Sequence, residues 1–195
     1  MPDTQLGPRF DDALVYASDL HRSQPRKGGH VPYVSHLLGV TSLVIEEGGT
    51  ETQAIAALLH DAVEDQGGLP RLEEIRARFG DDVADIVLAC TDSTEDPKPP
   101  WRVRKEAYVA HLPVARPDAL LVSVADKVHN ARSILLDLRS DGVGMFDRFT
   151  GGREGTLWYY RTLVGTYRGI EGFRSRLIDE LDRVVTEIER IAGSS

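Results

Sequence analysis

The chain has 195 residues, a formal net charge of −8 at pH 7 and a hydrophobic share of 41%. That length suits one domain with a sizeable core, and apolar residues spread along the chain argue against disorder away from the ends. The acidic balance excludes a general nucleic-acid binder, and the lone Cys90 excludes a disulfide framework or a thiolate metal site. No apolar run approaches the ~20 residues that span a bilayer. Met1 to Phe10 lacks the basic-then-apolar pattern of a secretion signal, so a cytoplasmic protein without membrane or nucleic-acid partners is expected. Basic residues do cluster in Arg22–Lys27 and Lys98–Lys105, which on an acidic protein suits a small polyanion better than a long one.

In chain order, Asp11 to Arg22 places Leu14, Val15 and Ala17 at helical spacing, and a basic, Gly-rich loop follows from Gln24 to Pro32. A second helix is expected from Ser35 or His36 to Glu47, stopped by Gly48-Gly49. Thr50 or Thr52 can cap a third, which carries His60-Asp61 and ends before Gly67-Gly68. Pro70 to Phe79 puts Leu72, Ile75 and Phe79 on one side, and Asp81 or Asp82 opens a helix through Val83, Ile86, Val87 and Cys90. Thr91 to Pro100 reads as a loop, and Trp101 to Leu112 as a helix with a basic start. The run Leu120–Ala125 is apolar enough for a buried strand, but its continuation favours one helix from Pro117 to Arg139. After a Gly-rich stretch from Gly142 to Gly155, two helices close the chain, roughly Glu154–Tyr167 and Arg174–Ile191. The prediction is an all-α single domain over 1–195, with its core motifs in 11–138 and C-terminal helices in 154–192.

The most informative segment is Ile55–Asp65. On a helix advancing about 100° per residue, His60, Asp61, Glu64 and Asp65 share an arc of roughly 140°. Ile55, Ala56, Leu58, Leu59, Ala62 and Val63 fill the opposite arc, and Ala54 and Ala57 are small enough to leave space above the polar side. Asp126 ends a very apolar run, where an unpaired carboxylate would be costly to bury. A divalent cation held by His36, His60, Asp61 and Asp126 would satisfy all four, since two imidazoles and two carboxylates suit a borderline first-row metal.

With the stretches Arg26-Lys27-Gly28, Pro32-Tyr33-Val34-Ser35-His36, Ala57–Asp65, Gly80–Val87 and Ala125–Arg132, the chain resembles the HD superfamily of metal-dependent phosphohydrolases. More narrowly it is similar to the hydrolase domain of RelA/SpoT-type alarmone enzymes and their small stand-alone metazoan homologues. The resemblance implies a helical HD-domain bundle with His36, His60, Asp61 and Asp126 as ligands, usually for Mn2+. It implies Glu64 and Asp65 as the catalytic acids that position and activate water. Arg26, Lys27 and Asn130 correspond to residues that hold the nucleotide, and Ser133 to a base contact. Lys98, Arg104 and Lys105 fall in a basic segment that could meet distal phosphates. The implied reaction is hydrolysis of a nucleotide polyphosphate, removing 3′-pyrophosphate from guanosine tetra- or pentaphosphate alarmones. The substrate partner is then a small nucleotide, and a homo-oligomer is compatible with the sequence.

Three departures surround the substrate side of the pattern. One extra residue separates Arg26-Lys27 from His36, Gln66-Gly67-Gly68 follows the acids where a threonine is common, and Leu37 replaces a common proline. They leave room for an HD hydrolase of another nucleotide or phosphoester, such as a nucleoside monophosphate. A nucleotide-binding regulatory module is the non-enzymatic alternative, but it would not need the acids. His129 is expected to pack behind the ligands, His21, His30 and His111 to lie on the surface, and Trp158-Tyr159-Tyr160 to belong to the core rather than to stack a base. No synthetase segment is recognisable, so a stand-alone enzyme is expected.

Overall fold

Apolar residues at three- and four-residue spacing become buried helix faces almost everywhere the pattern predicts them. The computed structural model describes residues 5–95 and 97–193, so part of the Met1–Phe10 stretch lies outside it. The helices are α1 (Pro8–Leu20), α2 (Val34–Glu46), α3 (Glu51–Leu59), α4 (Ala62–Asp65) and α5 (Gly68–Phe79). They continue as α6 (Asp81–Cys90), α7 (Trp101–His111), α8 (Pro117–Asp141), α9 (Gly152–Gly169) and α10 (Arg176–Gly193). Short 3₁₀ turns occupy Leu112–Val114 and Val143–Arg148. The β structure of the described residues is one isolated antiparallel bridge, Pro25 with Pro32, inside the loop before α2.

The ambiguous run Leu120–Ala125 is helical and lies in α8, which packs against α2, α3, α6 and α10. Its first half is apolar nearly all round because neighbours cover it on several sides. Helix α10 is amphipathic, with Leu177, Leu181, Val184, Val185 and Ile188 buried in a single stripe toward α8 and α9. Thr50 caps α3: its hydroxyl accepts from the Gln53 amide while the Gln53 side chain accepts from the Thr50 amide.

The expected single helix through His60 and Asp65 is broken. Helix α3 ends at Leu59, His60 and Asp61 form a turn, and the four-residue α4 begins at Ala62. The cause is local. His60 Nδ1 is 2.9 Å from the Ala57 carbonyl, the group that the Asp61 amide would engage if α3 continued. Both residues keep backbone angles in the right-handed helical region, so the direction changes little while the ring is locked. Ala54 and Ala57 leave no open space above this segment; both are fully buried, because neighbouring helices close over them.

Gly39, in the middle of α2, lets another helix approach. A Cβ there would lie 2.2 Å from Cδ2 of His129 on α8. Alanine would gain about 1 kcal/mol of helix propensity, but forcing the ring aside costs typically about 1–3 kcal/mol. Gly39→Ala is therefore expected to lower unfolding stability in urea; a variant as stable as the parent would show that His129 can move freely.

Candidate metal centre and its surroundings

Three separate parts of the chain deliver the central side chains. His36 stands in the first turn of α2, His60 and Asp61 form the break between α3 and α4, and Asp126 lies within α8. His60 Nε2 is 3.0 Å from Asp61 Oδ2 and 3.6 Å from Asp126 Oδ1. His36 Nε2 is 3.2 Å from Asp126 Oδ1 and 3.5 Å from Asp61 Oδ2. One ligand atom from each of His36, His60 and Asp126 falls within a 4.8 Å cluster. Asp61 lies beside it, its Oδ2 facing both imidazoles. Both Nε2 atoms are buried, and neither meets hydrogen-bond geometry with any group. Two orphaned imidazole nitrogens facing two carboxylates form a donor set that can hold a divalent cation.

The electrostatics point the same way. Burial opposes charge on His60, yet Asp61 and Asp126 outweigh it and hold the imidazole well above its ordinary pKa. Burial likewise opposes ionisation of Asp61 and Asp126, but the imidazoles overcome this for Asp61, and Lys127 with the imidazoles does so for Asp126. Both carboxyls stay well below the usual range. The pocket thus demands positive charge.

Neighbours fix these side chains. Tyr33 donates from its hydroxyl to Asp61 Oδ2 at 2.6 Å. Lys127 Nζ sits 2.6 Å from Asp126 Oδ2, with its ammonium 4.6 Å from the centre of the Tyr108 ring. Asn130 donates to Asp126 Oδ1 at 2.5 Å and accepts from Arg26 at 2.7 Å, linking a basic side chain of the 24–32 loop to a ligand. His36 Nδ1 and His129 Nδ1 are 2.9 Å apart. Burial, with His36 and Arg26 nearby, pulls His129 down to about 4, so it is neutral near pH 7 and one of the two nitrogens accepts. His129 packs behind the ligands as the sequence suggests.

The acids after the His-Asp pair face different ways. Glu64 accepts from Lys98 at 2.9 Å and lies 3.9 Å from Arg104. Asp65 accepts from Gln24 at 2.8 Å, and burial followed by the charge of Asp61 raises its pKa. Arg104 and Lys105 both pair with Asp92. Lys27 is exposed, its ammonium 5.5 Å from the Phe149 ring centre, while Ser133 donates to the His129 carbonyl within its own helix. The fold thus draws Lys98 and Arg104 to Glu64 and Arg26 to the Asp126 side, while Lys27 lies against Phe149 and Ser133 bonds within α8.

One expectation is overturned. His21 is not on the surface but buried, its ring stacked on Tyr33 at 5.1 Å and 15°. A histidine with no ligand-spaced partner in sequence found an aromatic one across the loop. His30 and His111 are exposed. Tyr159 and Tyr160 are buried, as expected for core, while Trp158 is partly covered by the Arg102 guanidinium. Sequence reasoning missed Tyr33, Gln24, Asp92 and Lys127. Of these only Lys127 carries a usable signal: an ammonium next to a carboxylate at the end of an apolar run.

Comparison with known proteins bears on this arrangement. The HD domain family matches residues 13–156. The guanosine-3′,5′-bis(diphosphate) 3′-pyrophosphohydrolase MESH1 of Xenopus tropicalis is 40% identical over 126 residues, 63% of this chain and 68% of that protein. Its Homo sapiens counterpart is 36% identical over 126 residues, with 63% and 68% covered. A solved structure of a metazoan orthologue of SpoT that hydrolyses ppGpp superimposes with a TM-score of 0.77 at 28% identity, covering 95% of this chain and 98% of that one. The match extends from α1 into α9 and includes His36, His60, Asp61 and Asp126, and on that extent the chain belongs to the HD domain family.

Proposed function

We propose that this chain is a manganese-dependent hydrolase that removes pyrophosphate from the 3′ position of guanosine 3′,5′-bis(diphosphate), acting in the cytoplasm. The observation that carries the reading is the convergence of two buried imidazole nitrogens without hydrogen-bond partners on the carboxylates of Asp61 and the buried Asp126, with an acid pair one turn away. The identity with 3′-pyrophosphohydrolases supports the choice of substrate. His36, His60, Asp61 and Asp126 would hold the cation. When bound, it would offset charge on a phosphoryl oxygen and make water more acidic.

The chain's own residues divide the remaining work. Glu64 and Asp65 orient the attacking water and take its proton, and the raised pKa of Asp65 makes it the better acceptor. The water oxygen bonds to the phosphorus on the 3′ oxygen, the bond from that phosphorus to the 3′ oxygen breaks, and the 3′ oxygen gains a proton. The products are guanosine diphosphate and pyrophosphate. Lys98, Arg104 and Lys105 offset the charge of the distal phosphates, Arg26 and Lys27 flank the nucleotide, and Asn130 and Ser133 steady it.

Three measurements test this. With Mn2+ and guanosine tetraphosphate, the protein should release pyrophosphate; release of orthophosphate alone, or turnover only of a nucleoside monophosphate, would assign a different substrate. His60→Ala should lose manganese binding in calorimetric titration together with activity, whereas Glu64→Gln should keep the metal and lose kcat by about a hundred- to ten-thousandfold. A Glu64→Gln enzyme with parental turnover would refute the acid's role.

Lys105 supplies a pH test. Burial, and then the charge of Lys127, lower its pKa to about 8. It is cationic below that pH and neutral above, so KM should rise as pH passes about 8. In Lys105→Met, KM should be raised throughout and this dependence lost; an unchanged profile would remove Lys105 from the phosphate site.

A further inference from the structure

Beside the metal ligands lies a second, smaller device in the loop between α1 and α2. The Tyr33 amide donates to the Gln24 carbonyl at 2.8 Å, and the Arg26 amide to the Val31 carbonyl at 2.8 Å, so the loop folds back on itself and presents both side chains of its base. Gln24 Nε2 donates to Asp65 Oδ2 at 2.8 Å. Its Oε1 faces two nitrogens: His21 Nδ1 at 2.8 Å and Gln66 Nε2 at 2.5 Å. With Asp65 a carboxylate, as its role as base requires, the Gln24 NH2 group must face it, which turns Oε1 toward His21 Nδ1 and Gln66 Nε2.

That orientation dictates the state of His21. Its Nδ1 must carry the proton to donate to Gln24, leaving Nε2 as a bare lone pair. His21 Nε2 is indeed buried without a hydrogen-bond partner. Burial lowers the imidazole's pKa, consistent with a neutral ring. The same ring stacks on Tyr33, and Tyr33 donates to Asp61. One buried imidazole therefore braces two acids by two routes: Asp65 through an amide, Asp61 through a phenol.

We propose that His21 and Gln24 are a positioning pair for Asp65, His21 setting the orientation of the Gln24 amide and Gln24 holding the carboxylate toward the attacking water. The proposal rests on Asp65 being a water-activating acid, as argued above. Neither residue touches substrate; each acts through the next.

Steady-state kinetics with Mn2+ and guanosine 3′,5′-bis(diphosphate) test it on Gln24→Leu, His21→Phe, His21→Asn and Asp65→Asn, each checked for parental thermal unfolding and for manganese affinity by calorimetry. Gln24→Leu should lower kcat about ten- to a hundredfold at unchanged KM and manganese affinity, the scale expected when an orienting partner is lost. His21→Phe keeps the stack on Tyr33 but not the donor, so kcat should fall alone; His21→Asn, whose amide can donate in place of Nδ1–H, should recover much of it. In an Asp65→Asn background, Gln24→Leu should add no further loss. Multiplying losses in that double variant, or a change in KM or metal affinity rather than kcat, would overturn the pairing. If His21→Phe does not fold, Gln24→Leu and the double variant decide alone. Asp65→Asn with parental turnover would instead sink the acid's role, whereas a slow Asp65→Asn beside a parental Gln24→Leu would sink only the positioning.

Discussion

Two largely covered carboxylates within reach of two buried imidazoles cannot be left to themselves. Asp61 and Asp126 lie among α2, α3, α4 and α8, where an unpaired negative charge is costly. In the protein alone the imidazoles and Lys127 supply the balancing charge, and the pKa directions of His60, Asp61 and Asp126 express that balance. A divalent cation would answer the same demand with ligands already convergent. Much of the surrounding architecture is intelligible as support for that convergence: Tyr33 on Asp61, Asn130 and Lys127 on Asp126, the Ala57 carbonyl on His60, His129 behind His36.

Backbone and side chain cooperate at the His-Asp pair. The same contact that orients the His60 ring, Nδ1 against a carbonyl three residues back, also ends α3 there. The break is followed by α4 as a short turn, on which Glu64 meets the basic segment before α7 and Asp65 the loop before α2. Two acids adjacent in sequence thus enter two different hydrogen-bonding environments, one with lysine and arginine and one with a neutral amide.

The loop from 24 to 33 joins the substrate side to the ligand side. Its basic Arg26 reaches Asn130 on α8, its Gln24 reaches Asp65, and its Tyr33 reaches Asp61. Gly39 matters for a related reason, because only a residue without Cβ lets α8 bring His129 against α2. The parts of the chain that read as connectors therefore determine where the acids and ligands point.

Taken alone, the sequence was enough to determine the helices, since three- and four-residue apolar spacing is a local property that survives into the buried faces of α6, α8 and α10. It also singled out His36, His60, Asp61 and Asp126, because a histidine fused to an aspartate and a carboxylate ending an apolar run are hard to place without a shared partner. What it could not supply were contacts formed between segments far apart in the chain: His21 on Tyr33, Gln24 on Asp65, Asp92 beneath Arg104 and Lys105. Nor could periodicity reveal the break at His60, which arises when a side chain takes a backbone carbonyl. Helical rhythm is encoded residue by residue, whereas the orientation of a polar side chain is settled by whichever donor or acceptor the folded chain brings beside it.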